Sequence, residues 1–343
     1  MLARMLIVAL AWLASSTAFA QSTGDPVLGE RLVEAVATQD TLWVRAANGS
    51  LVRFDRDDGA RTIVATEGVA DMVRLEGRTV ALVRGADESA GFMIIDTADG
   101  MTLAKWQGSI ADGLMSLVRL PDGWAVLTRD KVLIQTTDGW RTLPRPPGPS
   151  FGVEVTAAVD GRIYVGRNRG EWGGGLEVID PVSDTIRQIV RIDGEDICDG
   201  PLNPDCDPVT GLAVDSERPN CLLASVGLMH MLAHGRILRV CGDAVEVMFE
   251  QAVPSPEDEG LLSLPNEWPF FGIAATADGW VAISAGKLFR SSDGQVVQND
   301  MPALENWHGL SAAFEPDLII LKTDVNWGMS LSGYTPLLAP VTD

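Results

Sequence analysis

The sequence predicts an all-β chain built from a repeated hairpin. Three observations carry this expectation: short segments in which apolar and polar residues alternate, tight acidic turns between them, and almost no helical periodicity after residue 20. The hairpin recurs seven times, as LVEAVATQDTLWV, DMVRLEGRTVALV, MSLVRLPDGWAVL, EVTAAVDGRIYV, TGLAVDSERPNCLLA, GIAATADGWVAI and LSAAFEPDLIIL. Its turn acids are Asp40, Glu76, Asp122, Asp160, Glu217, Asp278 and Glu315, separated by 36, 46, 38, 57, 61 and 37 residues. A third strand follows, of the form GSLVRFD (49–55) or GGLEVID (174–180), and a further tight turn leads to a fourth. Seven such units predict a seven-bladed β-propeller of four-stranded antiparallel blades. A sandwich accounts for antiparallel strands but not for seven copies of one inner hairpin.

The first twenty residues stand outside the repeat. Arg4 precedes an apolar run from Met5 to Leu13, and Ala18-Phe19-Ala20 precedes Gln21, the pattern of a cleaved secretory signal peptide. Residues 21–343 are then expected to form a single propeller domain, and no later segment is long and apolar enough to predict membrane insertion. The formal charge of −21 becomes −22 once Arg4 is removed. Such an acidic surface repels nucleic acid and anionic membrane, which leaves proteins, glycans, small molecules and cations as partners of an expected monomer.

In a propeller, turns between the first and second and the third and fourth strands of a blade lie on one face. The remaining connections lie on the other. Every first-to-second turn and nearly every third-to-fourth turn is short here, so the insertions are expected on one face: Arg167–Gly175, Asp193–Asp207, Val226–Gly235, Gln251–Pro269, the connection around Trp307 and His308, and Thr323–Gly328. Loops on a rigid scaffold are where binding residues collect. The candidate ligand-binding residues are therefore Arg167, Arg169, Glu171, Trp172, His230, His234, Trp268, Trp307, His308 and Trp327. GRNRGEWGGGLEVID (166–180) is no phosphate cradle, because its glycines do not open a helix after a strand. They suit positive φ in a long turn and close approach of neighbouring loops.

All four cysteines of this exported chain are expected in disulfides. Cys198 and Cys206 bracket a turn-rich loop, while Cys221 and Cys241 are symmetric about a hairpin tip near Met231, which predicts Cys198 with Cys206 and Cys221 with Cys241. His230 and His234, four apart, share a side if that stretch is one extended strand. Near the loop-face starts of the inner strands lie Asp71, Asp112, Glu154, Asp207 and His308. An acidic rim of Asp71, Asp112, Glu154 and Asp207 is a candidate Ca²⁺ site, since Ca²⁺ takes several oxygen ligands.

The repeat resembles the broad seven-bladed propeller superfamily, and the chain as a whole resembles secreted bacterial propeller proteins. TTDGW (136–140) and SSDGQ (291–295) resemble degenerate sialidase-type Asp-box turns, which sit between third and fourth strands; the resemblance implies turn geometry and no sialidase chemistry. The acidic rim is loosely similar to the axial cation site of regucalcin-like lactonases, although no asparagine here matches their ligand. That similarity implies an alternative function, a Ca-dependent hydrolase or lactonase acting at the mouth of the central channel. No G-x-S-x-G elbow is present and no catalytic residue can be named, so the leading expectation is a recognition module that binds through its loop-rich face.

Overall fold

The computed structural model describes residues 32–85, 90–110, 113–146, 153–194, 198, 200–230, 232–253, 267–284, 286–301, 310–315, 318–323 and 337–340. The signal-peptide residues, Asp112, Trp307, His308 and Trp327 lie outside them. The described residues contain strands, turns and one short 3-10 turn, and no helix among them is long and apolar enough to cross a membrane. They fall into two compact units, one running to Leu117 and resuming at Ala313, the other Val118–Ala312.

In the first unit β1 (Leu32–Ala37), β2 (Thr41–Ala46), β3 (Leu51–Asp55) and β4 (Arg61–Ala65) form one antiparallel meander. A second comprises β5 (Val69–Leu75), β6 (Arg78–Arg84), β7 (Phe92–Asp96) and β8 (Thr102–Trp106). The strand β9 (Leu114–Leu120) opens a third sheet with β10 (Gly123–Thr128), β11 (Lys131–Thr136) and β12 (Gly139–Pro144). The second unit continues with β13 (Val153–Val159), β14 (Arg162–Asn168), β15 (Leu176–Asp180) and β16 (Thr185–Ile189). Next come β17 (Val209–Val214), β18 (Leu222–His230), β19 (Leu232–Cys241) and β20 (Ala244–Phe249). The sheet of β21 (Ile273–Thr276), β22 (Gly279–Ser284), β23 (Lys287–Ser292) and β24 (Gln295–Asp300) completes that unit. Finally β25 (Leu310–Glu315), β26 (Leu318–Thr323) and β27 (Leu337–Pro340) form a sheet with three described strands, so six sheets show the expected four.

Within each unit, successive sheets pack face-on where a shared core is described. Tyr164, Leu176 and Val178 of one sheet meet Leu222, Val226 and Leu238 of the next, and Val126's neighbours Ala125 and Leu127 meet Ile163 and Ile179 in the same manner. The burial gradient follows. The second strands GWAVLT and GWVAIS are buried along their whole length, as near-continuous apolar runs covered on both faces should be, whereas the fourth strand QVVQND is almost entirely exposed. The acidic turns have a local cause: Glu76-Gly77, Asp160-Gly161 and Asp293-Gly294 each place two successive residues at positive φ, the backbone that a two-residue hairpin turn requires. Both Asp-box-like turns join third to fourth strands, between β11 and β12 and between β23 and β24.

Three third strands, β3, β7 and β15, end in aspartate for a structural reason. Asp55, Asp96 and Asp180 each accept the backbone N–H two residues on, at 2.9 Å. Two of these acids also receive the arginine that opens the second strand, as Arg78 with Asp96 at 2.8 Å and Arg162 with Asp180 at 3.3 Å.

Candidate functional site

The insertions of the second unit gather at one end of its sheets. The strand β14 runs to Asn168, whose Oδ1 accepts the Gly170 N–H at 2.9 Å, and a 3-10 turn over Gly170–Trp172 reverses the chain. Three backbone bonds then tie the loop down. Arg169 N–H donates to Gly173 O at 2.9 Å, Gly174 N–H to Pro204 O at 2.8 Å and Gly175 N–H to Asp207 O at 2.8 Å. A Cβ on Gly173 would lie 2.4 Å from the Pro204 carbonyl oxygen, so glycine is what lets this loop touch the segment after Cys198. The result is a fixed loop whose Trp172 side is 62% exposed.

Cys198 is bonded to Cys206, and Cys221 to Cys241, the pairing expected from loop and hairpin symmetry. The second bridge joins the roots of β18 and β19, nine and ten residues long where the second and third strands of the other four-stranded sheets have five to seven. Residues 226–235 are therefore not an irregular loop but the outer half of this ladder, paired from Val226↔Arg236 to His230↔Leu232. His230 and His234 stand on opposite strands of the hairpin, a correction to the single extended strand considered for them. Gly227 and Gly235 let the hairpin lie against residues 268–270, where a Cβ would come within 2.0 Å of Phe270 O and 2.5 Å of Trp268 O.

Beneath this end lie two ionic groups. Asp207, fully buried, receives His234 Nε2 at 3.1 Å on Oδ1 and the Asn203 N–H at 2.6 Å on Oδ2; the Arg236 guanidinium stands 3.9 Å away and donates to Gly200 O at 2.7 Å. Burial and the neighbouring Glu250 carboxylate push the Glu267 carboxyl above its ordinary pKa, while Arg236 draws it back. The other group is a charge-balanced quartet. Arg145, 1% exposed at its side chain, reaches both oxygens of Glu154 and Glu177 Oε1 at 3.0 Å each; Arg167 reaches Glu177 Oε2 at 2.9 Å and lies 3.4 Å from Glu154. Burial alone would disfavour the Arg145 cation, but the two carboxylates reverse this and its pKa stands above the ordinary value.

The sequence-predicted residues thus divide. Trp172 and Glu171 face solvent; Arg169 is half-buried and donates to Pro204 O at 3.2 Å. Arg167 is held in the quartet, and Trp268 packs its ring on Phe289 at 5.7 Å, so both support the face from within. The acids considered as cation ligands are engaged by the protein itself: Glu154 by Arg145 and Arg167, Asp207 by His234 and Asn203, and Asp71 as follows. Among the described residues no group of three or more His, Cys, Asp and Glu side chains is arranged to hold a metal ion.

Asp71 sits on β5 at a bulge, and Glu34 occupies the corresponding bulge of β1. Glu34 accepts from the Met72 N–H at 3.1 Å and from Arg45 at 2.7 Å, and Asp71 accepts from the Leu117 N–H at 2.5 Å. Each acid so fastens the next inner strand. Burial, then the charge of Glu34 and the hydrogen bond shared with it, raise the Asp71 pKa well above the usual carboxylate range, against the opposing pull of Leu117 N–H and Arg45. The folded chain accordingly holds a proton that the unfolded chain has lost, and stability falls as pH rises from the unfolded pKa of about 4 through the raised folded value. Asp71→Asn keeps an acceptor for Leu117 and a donor for Glu34 without that penalty. Its melting temperature should exceed the parent's by about 2 °C at pH 7 and converge with it near pH 4. Thermal unfolding across that range tests this, and parallel curves would refute it.

No family model matches the chain, and no curated protein matches it. Solved structures do resemble it. U3-55K superposes with a TM-score of 0.57 at 11% identity, over 93% of this chain and 97% of that one. The WD40 domain of Neurospora crassa Pan2 gives 0.55 at 10% identity, over 85% and 86% of the two chains. The WD40 repeats of RRP9 give 0.51 at 12%, over 87% and 88%. Likeness at these identities is one of fold: antiparallel four-stranded sheets of the WD40-type β-propeller.

Proposed function

We propose that the chain is an exported recognition module, a seven-bladed β-propeller whose loop-rich face binds a partner protein. The sheet of β25–β27 is its seventh blade, residues 1–20 its leader, and two disulfides suit an oxidising compartment. The observation that carries the reading is Trp172, 62% exposed on a loop that backbone hydrogen bonds hold in one shape. An indole presented this way is what interface anchors require: large contact area with little conformational entropy left to lose. Arg169, Glu171, His230 and His234 would flank it, with Arg167 and Trp268 supporting from below. Glycans and small ligands are the other occupants such a face can take.

Photo-crosslinking in cells tests the proposal. A benzophenone side chain at position 172 should give discrete adducts of higher mass, whereas position 182, 94% exposed in the turn at the opposite end of β15, should give none. Equal labelling at both positions would remove the face from consideration. Glycan-array binding lost in Trp172→Ala, without protein adducts, would reassign the ligand to sugar.

A further inference from the structure

We propose that the Cys198–Cys206 disulfide is a redox-operated strut for the face that carries Trp172, opened and remade by a dithiol oxidoreductase while the sheets stay folded. The inference rests on the recognition reading for its biological purpose, but not for its test. The segment from Gly200 to Asp207 is where the insertions meet. Gly174 and Gly175 donate to Pro204 O and Asp207 O, Arg169 to Pro204 O, Arg236 to Gly200 O at 2.7 Å, and His234 Nε2 pairs with Asp207 at 3.1 Å. Both the Trp172 loop and the β18–β19 hairpin therefore lean on the short segment closed by the Cys198–Cys206 bridge, whose ends are eight positions apart, and on Asp207 beside it.

The two bridges are unequally accessible. Cys198 is exposed and Cys206 8% exposed, whereas Cys241 is half-buried and Cys221 2% exposed at the hairpin root. Exchange begins by in-line attack of an external thiolate on a disulfide sulfur, so access decides which bridge reacts. Attack on Cys198 Sγ breaks the S–S bond and releases Cys206 as a thiolate, which takes a proton. The second thiol of the dithiol then attacks the mixed disulfide, freeing Cys198 as a thiol and leaving the oxidoreductase oxidised by two electrons. Without the bridge, the segment keeps its own bonds, the Arg191–Leu202 pair and the Cys206 and Asp207 N–H groups to Asn203 O at 3.0 and 2.7 Å, but loses the covalent tie between its Cys198 and Cys206 ends.

Stepwise reduction of the full chain with dithiothreitol, followed by alkylation and hydrogen exchange, tests the strut. Cys198 and Cys206 should be alkylated at least tenfold faster than Cys221 and Cys241. In the selectively reduced protein, amide exchange over 168–176 and 232–236 should quicken at least tenfold while β10 and β11 stay protected. The Cys198→Ser/Cys206→Ser double variant should reproduce that pattern, and Cys221→Ser/Cys241→Ser should not. Reduction of Cys221–Cys241 first, global unfolding with the first bridge, or unchanged exchange over 168–176 would each overturn the proposal. If exchange quickens but position 172 crosslinks nothing, the recognition reading fails and the strut stands; crosslinking with unchanged exchange is the converse.

Discussion

Arg145→Leu should cost about 3–5 kcal/mol of stability, more than any other single change suggested by the structure. The guanidinium is 1% exposed and makes three contacts of 3.0 Å with Glu154 and Glu177, themselves 14% and 8% exposed at their side chains. Removing it leaves two carboxylates with Arg167 alone between them, and a buried charge stripped of its partner is destabilising by about 3–5 kcal/mol. The pair as a whole need not stabilise by that amount, because burying the charges has its own desolvation cost. Adding Glu154→Gln to Arg145→Leu, which leaves Glu177 to pair with Arg167, should accordingly restore much of the loss. Urea unfolding of the single and double variants measures this. A single-variant loss under about 1 kcal/mol, or a double variant no better than the single, would show that the quartet is not the buried unit described.

The second large effect lies at Gly174. Its φ is +150°, and a Cβ there would stand 1.8 Å from the Arg167 carbonyl oxygen and 2.6 Å from its carbon, so backbone must move against backbone. Gly174→Ala should cost about 2–4 kcal/mol, in the range of tight core overpacking combined with a strained backbone. It should also detach Trp172's loop from Pro204. Gly170 provides the control: its φ of +61° is unfavourable for alanine, yet no atom lies within 4 Å of the added Cβ. Gly170→Ala should cost only about 1 kcal/mol, the left-handed backbone alone. Equal unfolding midpoints for the two variants would mean that close approach is not what demands glycine in this stretch.

These two positions show what a single sequence can and cannot convey. Gly174 was legible as a residue needing unusual backbone or close contact, because glycine runs have few other uses beside a strand. The hairpin rhythm and the D-G turns were legible for the same reason: their cause is local, and Asp160-Gly161 carries its turn geometry in two adjacent residues. The disulfide pairs were readable because hairpin symmetry is also local. Arg145 gave no such signal. It follows the last strand of one sheet and meets Glu154 and Glu177, nine and thirty-two positions away, in the next. Glu154 and Asp207 looked like free acids at strand starts, yet composition cannot tell a carboxylate facing solvent from one facing an arginine. Glu34 carries no signal of its own in the sequence, since its meaning depends on Asp71 standing at the matching bulge one sheet later. The β-propeller fold read from the repeats is shared with U3-55K at 11% identity because turn chemistry and burial pattern, more than residue identity, define it.

The lengthened β18–β19 ladder has one more implication, for engineering. A sulfur crosslink fastens its base, and interstrand pairing continues unbroken from there to its far end, so the far end behaves like a cantilever whose anchorage is independent of its cargo. Foreign peptide grafted between His230 and Leu232 should therefore be displayed without loosening the blades beneath.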